Sequence, residues 1–322
     1  MNLVIEHQSM LLGKASDSKL ATRLDSVPVF PEEVVLKDER SIFGSFCYEL
    51  DVFETVESRY LALLSQALDG LEVDPSNDPV LFIPPSYGLQ DQNQLSQWTK
   101  LLAEAHPNLV SHADSRVYPY GRAAALMALS HLQEIFKHRP DGRVWLMGVD
   151  SLGDFNLLDL LAQDGMLLDE SGEGIVASEG AIILGLRRST HGLTVNWSGS
   201  DANIQRHNIH DQGDIAVEQL FHNVVDQMNT ALSWIYLPDN GDAQLTQAWS
   251  DKYRVLAPVV SKHTQMNFST VFTGELGSVG ALYRFFHIYE SYRKERLEGL
   301  TLQCEISDKL YRAMAIYNWT SI

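Results

Sequence analysis

The feature that most constrains the fold is an internal repeat. "LFIPPSYGLQDQNQLSQWTK", which begins at Leu81, and "IYLPDNGDAQLTQAWSDK", which begins at Ile235, share an order of strand, proline, glycine and a helix that opens with "QL[ST]Q". Ile235 lies 154 positions after Leu81, and Gly274 lies 153 positions after Gly121. Leu300 lies 156 positions after Val144. Three elements thus recur in the same order at nearly one spacing, which indicates that the chain contains two copies of one structural unit.

Each copy alternates buried strands with helices. Runs such as "GRVWLMGVDSL" are apolar and bounded by glycine, a pattern typical of strands that are covered on both faces. Two such halves, residues 1–190 and 191–322, would stack as alternating layers. The sequence therefore predicts a five-layered α/β/α/β/α fold with pseudo-twofold symmetry. We also expect "LTVNWSG" to pair with the strand before it, "GAIILGLRR".

Composition argues against several classes of function. The 322 residues include 24 basic and 42 acidic side chains, and the formal charge of -18 would repel nucleic acid. Cys47 and Cys304 are the two cysteines, too few for a disulfide framework, so we expect a reducing, cytoplasmic setting. The chain has no apolar run of about 20 residues for a membrane span and no signal-peptide pattern at its start.

Three stretches resemble the β-ketoacyl synthases of the thiolase fold. They are "VYPYGRAAALMALSHL" with the strand that follows it, the bend "GEGIVASEGAIILGL", and "TGELGSVGALYRFFHIY". The resemblance covers residues 117–186 and, more loosely, 232–289. It implies a duplicated half, decarboxylative condensation of acyl chains, a cysteine nucleophile at the first turn of the helix after "VYPY", and two histidines from the second half.

The residues that this chemistry needs are absent from the matching positions. Without gaps, the nucleophile position falls on Arg122, with Gly121 and Tyr120 as one- and two-residue slips. Asp239 takes the place of the first histidine and Glu275 that of the second. Because an arginine guanidinium stays protonated at neutral pH, it cannot act as the nucleophile. The resemblance therefore implies a scaffold without the condensing residues.

The repeat also suggests what fills the former site. Glu275 lies 153 positions after Arg122, so we predict that the two form a buried ion pair, with Asp239 as a second acceptor for the arginine. Two alternatives stay open: Arg122 faces solvent, or it binds an anionic ligand such as a carboxylate. The residues expected to line any remaining cavity are Tyr120, Gly121, Ile175 and Gly274.

We expect no metal ion and no cofactor. His207, His210 and Asp211 have a spacing that could bind a metal, but a polar loop explains these residues better.

Three functions are consistent with the sequence. The first is a non-catalytic ketosynthase-like subunit, similar in kind to chain length factors, or an acyl- or partner-binding protein of a fatty-acid or polyketide type pathway. It would form a homodimer, or a heterodimer with an active ketosynthase, and could meet an acyl carrier protein. The second is an enzyme with altered acyl-transfer or hydrolytic chemistry that uses Asp239, Glu275 or Tyr120 as acid or base. The third is a homodimeric scaffold unrelated to lipid synthesis.

Overall fold

The structure is a computed structural model, and it describes residues 1–13, 31–87, 92–204 and 213–321. Within these residues the α-helices are α1 (Val56–Asp69), α2 (Gln92–Ala105), α3 (Ala124–His138), α4 (Phe155–Gln163), α5 (Ile215–Gln227), α6 (Ala243–Ser250), α7 (Thr270–Thr273) and α8 (Gly280–Arg293). The strands are β1 (Asn2–Leu12), β2 (Glu32–Val35), β3 (Ser41–Ser45), β4 (Val80–Ile83), β5 (Arg116–Val117), β6 (Arg143–Ser151), β7 (Ala177–Ser189), β8 (Gly192–Ala202), β9 (Leu232–Tyr236), β10 (Gln265–Asn267), β11 (Leu300–Ile306) and β12 (Tyr311–Thr320). Over these residues, each helix is too short or too polar to cross a membrane.

The strands form two sets with the same arrangement. The first set has the order β5-β4-β6-β7-β1, and the second has the order β10-β9-β11-β12-β8. In each set the first three strands are parallel, and the fourth is antiparallel to both of its neighbours. A short antiparallel contact between β1 and β8 joins the two sets, and the β2–β3 hairpin attaches to the start of β7.

The repeated residues occupy matching places in the two sets. Leu81 pairs with Leu146 between β4 and β6, and Ile235 pairs with Leu302 between β9 and β11. Leu81 and Ile235, which lie 154 positions apart, therefore hold equivalent register positions on β4 and β9. The boundary between residues 190 and 191 stays a prediction, and it falls in the turn between β7 and β8.

Side chains on the strands explain why the layers alternate. On β6, Trp145 and Met147 pack with α1 and α2 on the outer face, while Leu146 joins the central layer. That central layer contains α3 and α8, packed between the inner faces of the two strand sets. Helices α5 and α6 cover the outer face of the second set. The predicted α/β fold of five layers is confirmed.

The predicted pairing between "LTVNWSG" and the strand before it is wrong. β8 pairs along its length with β12, because β1 occupies the edge of β7 that β8 would need. β1 (Asn2–Leu12) pairs with β7 over almost its whole length and is a strand that the sequence pattern does not predict.

Candidate functional site

Both central helices begin with the same tight turn. A short 3-10 turn at Gly121–Ala123 leads into α3, and one at Gly277–Val279 leads into α8. Gly121 has a φ of 58° and Gly277 a φ of 56°, a left-handed conformation that favours glycine. The two helix starts are therefore equivalent, and they lie 156 positions apart.

This equivalence corrects the predicted match between Gly121 and Gly274. Gly274 ends α7, three positions before the turn that starts α8. The residue equivalent to Arg122 is consequently Ser278, not Glu275. The strands β6 and β11 show the same spacing of 156 positions, because Leu302 holds the register place of Leu146. The spacing of 153 came from aligning the wrong glycine.

Arg122 and Glu275 nevertheless form the predicted ion pair. The Nε of Arg122 donates to Oε1 of Glu275 at 3.1 Å, and Nη2 donates to the hydroxyl of Tyr87 at 2.8 Å. Nη1 pairs with the carboxylate of Asp308. Arg122 is 3% exposed, so the alternative of a solvent-facing arginine is wrong.

Glu275 is held by the second half as well as by Arg122. Its Oε1 accepts from the Gly277 amide at 2.7 Å, and its Oε2 accepts from Nδ2 of Asn240 at 2.5 Å. The backbone amide of Glu275 donates to the Val176 carbonyl at 2.9 Å, which fixes the residue beside the start of β7. Both carboxylate oxygens are thus engaged by donors.

Arg122, Glu275 and Asp308 form a charge cluster, and the net charge of this cluster disfavours the binding of an anion. Burial opposes the charge of Arg122, but the carboxylates of Glu275 and Asp308 hold the pKa of Arg122 well above its usual value. One guanidinium faces two carboxylates, so the three groups together are negative. A ligand carboxylate would add a third negative charge in a buried place, which is unfavourable. This argues against the alternative that Arg122 binds an anionic ligand.

Asp239 is not the second acceptor, and that prediction is wrong. Its carboxylate accepts from the Gly241 amide and from the Thr246 hydroxyl at 2.9 Å, so it caps its own loop. Its neighbour Asn240 reaches Glu275 instead. Asp239 and Asn240 line an open cleft of about 410 Å³, together with Val176, Gly241, Phe268, Thr270, Val271 and Gly274.

Among the described residues, the four predicted lining residues have different surroundings. Gly274 borders the open cleft, whereas the ring of Tyr120 packs against Tyr311 with centroids 4.7 Å apart. Gly121 faces Ser307, whose hydroxyl would lie 2.3 Å from a Cβ at position 121. Ile175 is buried, and its backbone pairs with the 166–168 segment.

Several solved structures share the fold of this chain. A ketosynthase in complex with its chain length factor from Xenorhabdus doucetiae matches with a TM-score of 0.65 at 12% identity, over 99% of this chain and 98% of that one. The chain has the thiolase-like ketosynthase fold. A type II PKS acyl-carrier protein complex with its ketosynthase matches with a TM-score of 0.69 at 11% identity, over 99% of both chains. The 3-oxoacyl-[acyl-carrier-protein] synthase III of Aquifex aeolicus matches with a TM-score of 0.55 at 11% identity, over 98% of this chain and 99% of that one. No family model and no curated protein sequence matches the chain.

Both cysteines lie in surroundings that disfavour the thiolate. Burial and the neighbouring Glu179 raise the pKa of the Cys47 thiol far above its usual value, and burial does the same for Cys304. The sulfur of Cys47 donates to the Gly13 carbonyl at 3.0 Å, and Cys304 lies inside β11. His207, His210 and Asp211 lie outside the described residues.

Sequence reasoning missed Asp150, a buried acid at the end of β6. Its side chain accepts hydrogen bonds from Ser86 and from the backbone amide of Ser278, in the turn that starts α8. Burial raises the pKa of Asp150 to about 6, while these hydrogen bonds oppose the rise. The available signal was a single acidic residue at the end of the apolar run "GRVWLMGVDSL".

Replacing Asn240 with alanine is expected to lower the free energy of unfolding by about 1 to 3 kcal/mol, because a charged, buried acceptor on Glu275 loses its donor. Asp239→Ala serves as the matched control, since Asp239 is only half-buried and its carboxylate accepts from Gly241 and Thr246. Urea denaturation of both variants measures the difference. A larger loss for Asp239→Ala would contradict the assignment of Asn240 to the cluster.

Proposed function

We propose that the chain is a non-catalytic ketosynthase-like subunit, or an acyl- or partner-binding protein, of a fatty-acid or polyketide type pathway. One observation carries the proposal. The helix start at which the resemblance implies a cysteine has Gly121 and Arg122, and the guanidinium of Arg122 is buried against Glu275 and Asp308. A cation fixed by two carboxylates cannot attack a thioester.

The same contacts weigh against the alternative enzyme. General acid or base catalysis needs a carboxyl group within reach of a substrate proton. Glu275 is 3% exposed, and its oxygens already accept from Arg122, Asn240 and Gly277. Asp239 borders the open cleft, but its carboxylate already accepts from the Thr246 hydroxyl and the Gly241 amide.

We further propose a cytoplasmic dimer, formed with a second copy or with an active ketosynthase. The support is the outer edge of β5, which pairs only with β4 among the described strands. The Tyr118 amide donates to the Phe82 carbonyl, so the amide of Val117 points away from β4 and toward the open edge. Such an edge accepts another strand.

An acyl carrier protein is a further proposed partner, since a ketosynthase of similar fold is described in complex with one.

The test of function combines a reaction with a binding measurement. The purified chain is incubated with acyl- and malonyl-loaded acyl carrier protein, alone and with intact ketosynthases of the same organism, and products are followed by mass spectrometry. We expect no condensation or hydrolysis by the chain alone, and a stable complex with a ketosynthase. Product formed by the chain alone, at a rate that follows its concentration, would overturn the non-catalytic proposal. A homodimer that binds neither ketosynthase nor carrier would favour the scaffold alternative.

Replacing Val117 with proline is expected to weaken the dimer at least tenfold, because proline removes the outward amide without disturbing the bonds to β4. Val117→Ala keeps the amide and serves as the matched control. Sedimentation velocity of both variants over a range of concentrations measures the effect. Equal dissociation constants for the two variants would place the interface elsewhere.

A further inference from the structure

Asp150 is a buried anion held by neutral donors. Its Oδ2 accepts from the amide and hydroxyl of Ser86, at 2.9 and 2.6 Å, and from the Ser278 amide at 2.7 Å. Its Oδ1 accepts from the amides of Tyr87 and Ser151, at 3.3 and 3.0 Å. The residue is 0% exposed, and the ion pairs of the described residues do not include it. Hydrogen bonds therefore offset the cost of burying this charge.

The donors come from three separate segments. Ser86 and Tyr87 follow β4, Ser151 ends β6, and Ser278 belongs to the turn before α8. The hydroxyl of Ser278 also donates to the carbonyl of Pro84 at 2.9 Å. One carboxylate thus connects the strand ends of the first half to the central helix of the second half.

The equivalent place in the other half holds no carboxylate. The glycine turn at Gly277 approaches Asp150 so closely that a Cβ there would lie 2.1 Å from Oδ2. The equivalent turn at Gly121 faces the hydroxyl of Ser307, which lies 156 positions after Ser151. The carboxylate is therefore specific to the start of α8 and is not a general requirement of this turn.

Asp150 also fixes one wall of the arginine cluster. Its Oδ1 accepts a hydrogen bond from the Tyr87 amide. The Tyr87 carbonyl accepts from the Tyr60 hydroxyl, and the Tyr87 hydroxyl accepts from Nη2 of Arg122. Displacement of the carboxylate would release Tyr87 from the strand end and remove one partner of the guanidinium.

We propose that Ser86, Tyr87, Ser151 and Ser278 form a preformed carboxylate-binding site, that Asp150 is its tethered ligand, and that a free carboxylate binds there when the Asp150 side chain is removed. The site is shaped by backbone amides, which persist in a variant that lacks the side chain. The ligand that fits this site is a small monocarboxylate. Its two oxygens must meet donors on two sides, and its remaining carbon must fit the space that the Asp150 methylene leaves.

The test is rescue of Asp150→Gly by acetate, which supplies the carboxylate and the carbon that the variant lacks. The melting temperature is measured in sodium acetate and in sodium chloride of equal ionic strength at pH 7.5. Acetamide, which is neutral and presents an NH₂ group to the donors, is the chemical control. We expect the melting temperature to rise by about 2 °C at a tenfold excess of acetate over its dissociation constant, and to keep rising with the logarithm of the acetate concentration. Chloride and acetamide are expected to have no such effect.

Asp242→Gly is the matched protein control, since Asp242 caps α6 at a half-buried position through the Gln244 amide at 2.8 Å. An acetate response of equal size in Asp242→Gly, or an equal response of Asp150→Gly to acetate and chloride, would overturn the proposal. These outcomes do not depend on whether the chain is catalytic.

If Asp150→Gly does not fold without ligand, refolding from urea in acetate or acetamide replaces the melting experiment, and a higher soluble yield in acetate supports the site. Ser86→Ala provides the second variant, because it removes one of the donors to Oδ2 and keeps the carboxylate. We expect its melting temperature to fall by several degrees. An unchanged melting temperature in Ser86→Ala, or equal refolding yields in the two solutions, would count against the site.

Discussion

Arg122→Ala is expected to lower the free energy of unfolding by about 3 to 5 kcal/mol, because it leaves a buried carboxylate without its cation. Glu275 would keep its donors from Gly277 and Asn240 but lose the guanidinium, and Tyr87 would lose a donor to its hydroxyl. Urea denaturation at pH 7 measures the change, with two-state behaviour checked by two spectroscopic probes. A loss below about 1 kcal/mol would mean that the cluster adds nothing to stability.

Two variants separate charge from geometry in this cluster. Arg122→Lys keeps the positive charge but cannot donate to Glu275, Asp308 and Tyr87 at once, so we expect an intermediate loss. Asp308→Asn changes a carboxylate whose side chain is 52% exposed, and solvent screening limits its effect to about 1 kcal/mol or less. The expected order of stability is Asp308→Asn, then Arg122→Lys, then Arg122→Ala. Any other order would contradict the assignment of Glu275 as the principal partner.

The sequence predicted the ion pair for a reason that the structure corrects. The repeat led to matching Arg122 with Glu275, but the equivalent of Arg122 is Ser278. The pair forms because the segment after α7 runs beside the start of β7, where the amide of Glu275 meets the Val176 carbonyl. This placement depends on contacts between the halves, which a spacing along the chain does not contain.

The other partners of Arg122 could not be read from the sequence. Tyr87 follows β4, and Asp308 lies in the turn between β11 and β12, so neither is near Arg122 along the chain. They meet because the carboxyl ends of the parallel strands in both halves approach one another at the central helices. The fold class was predictable because it depends on the order of apolar segments, whereas this site depends on the loops that follow them.

The missed strand β1 shows how a local irregularity hides a regular element. "NLVIEHQSMLL" has Glu6 and His7 in the middle of an apolar stretch, which breaks the alternation expected of a strand. The structure resolves this with a register shift between Ile5 and His7, after which the pairing to β7 continues. Because β1 was absent from the prediction, β8 was assigned the edge of β7 that β1 occupies.

Gly277→Ala is expected to destabilise the protein by about 4 kcal/mol or more, through two separate costs. A φ of 56° is unfavourable for alanine by about 1 to 2 kcal/mol. The new Cβ would also lie 2.1 Å from Oδ2 of Asp150, so the carboxylate must move and leave donors such as the Ser278 amide unpaired in the interior. Thermal and urea denaturation measure the sum.

Gly165→Ala isolates the first of these costs. Gly165 has a φ of 65°, and a Cβ at this position would meet nothing within 4 Å, so only the backbone term applies. We expect a loss of about 1 to 2 kcal/mol for Gly165→Ala, and a difference of at least 2 kcal/mol between the two variants. The difference between the two losses in unfolding free energy measures the close approach of the α8 turn to Asp150. Similar losses in both variants would show that the Asp150 carboxylate is not fixed where the α8 turn meets β6. The glycine at the start of α8 would then be required only for its backbone conformation.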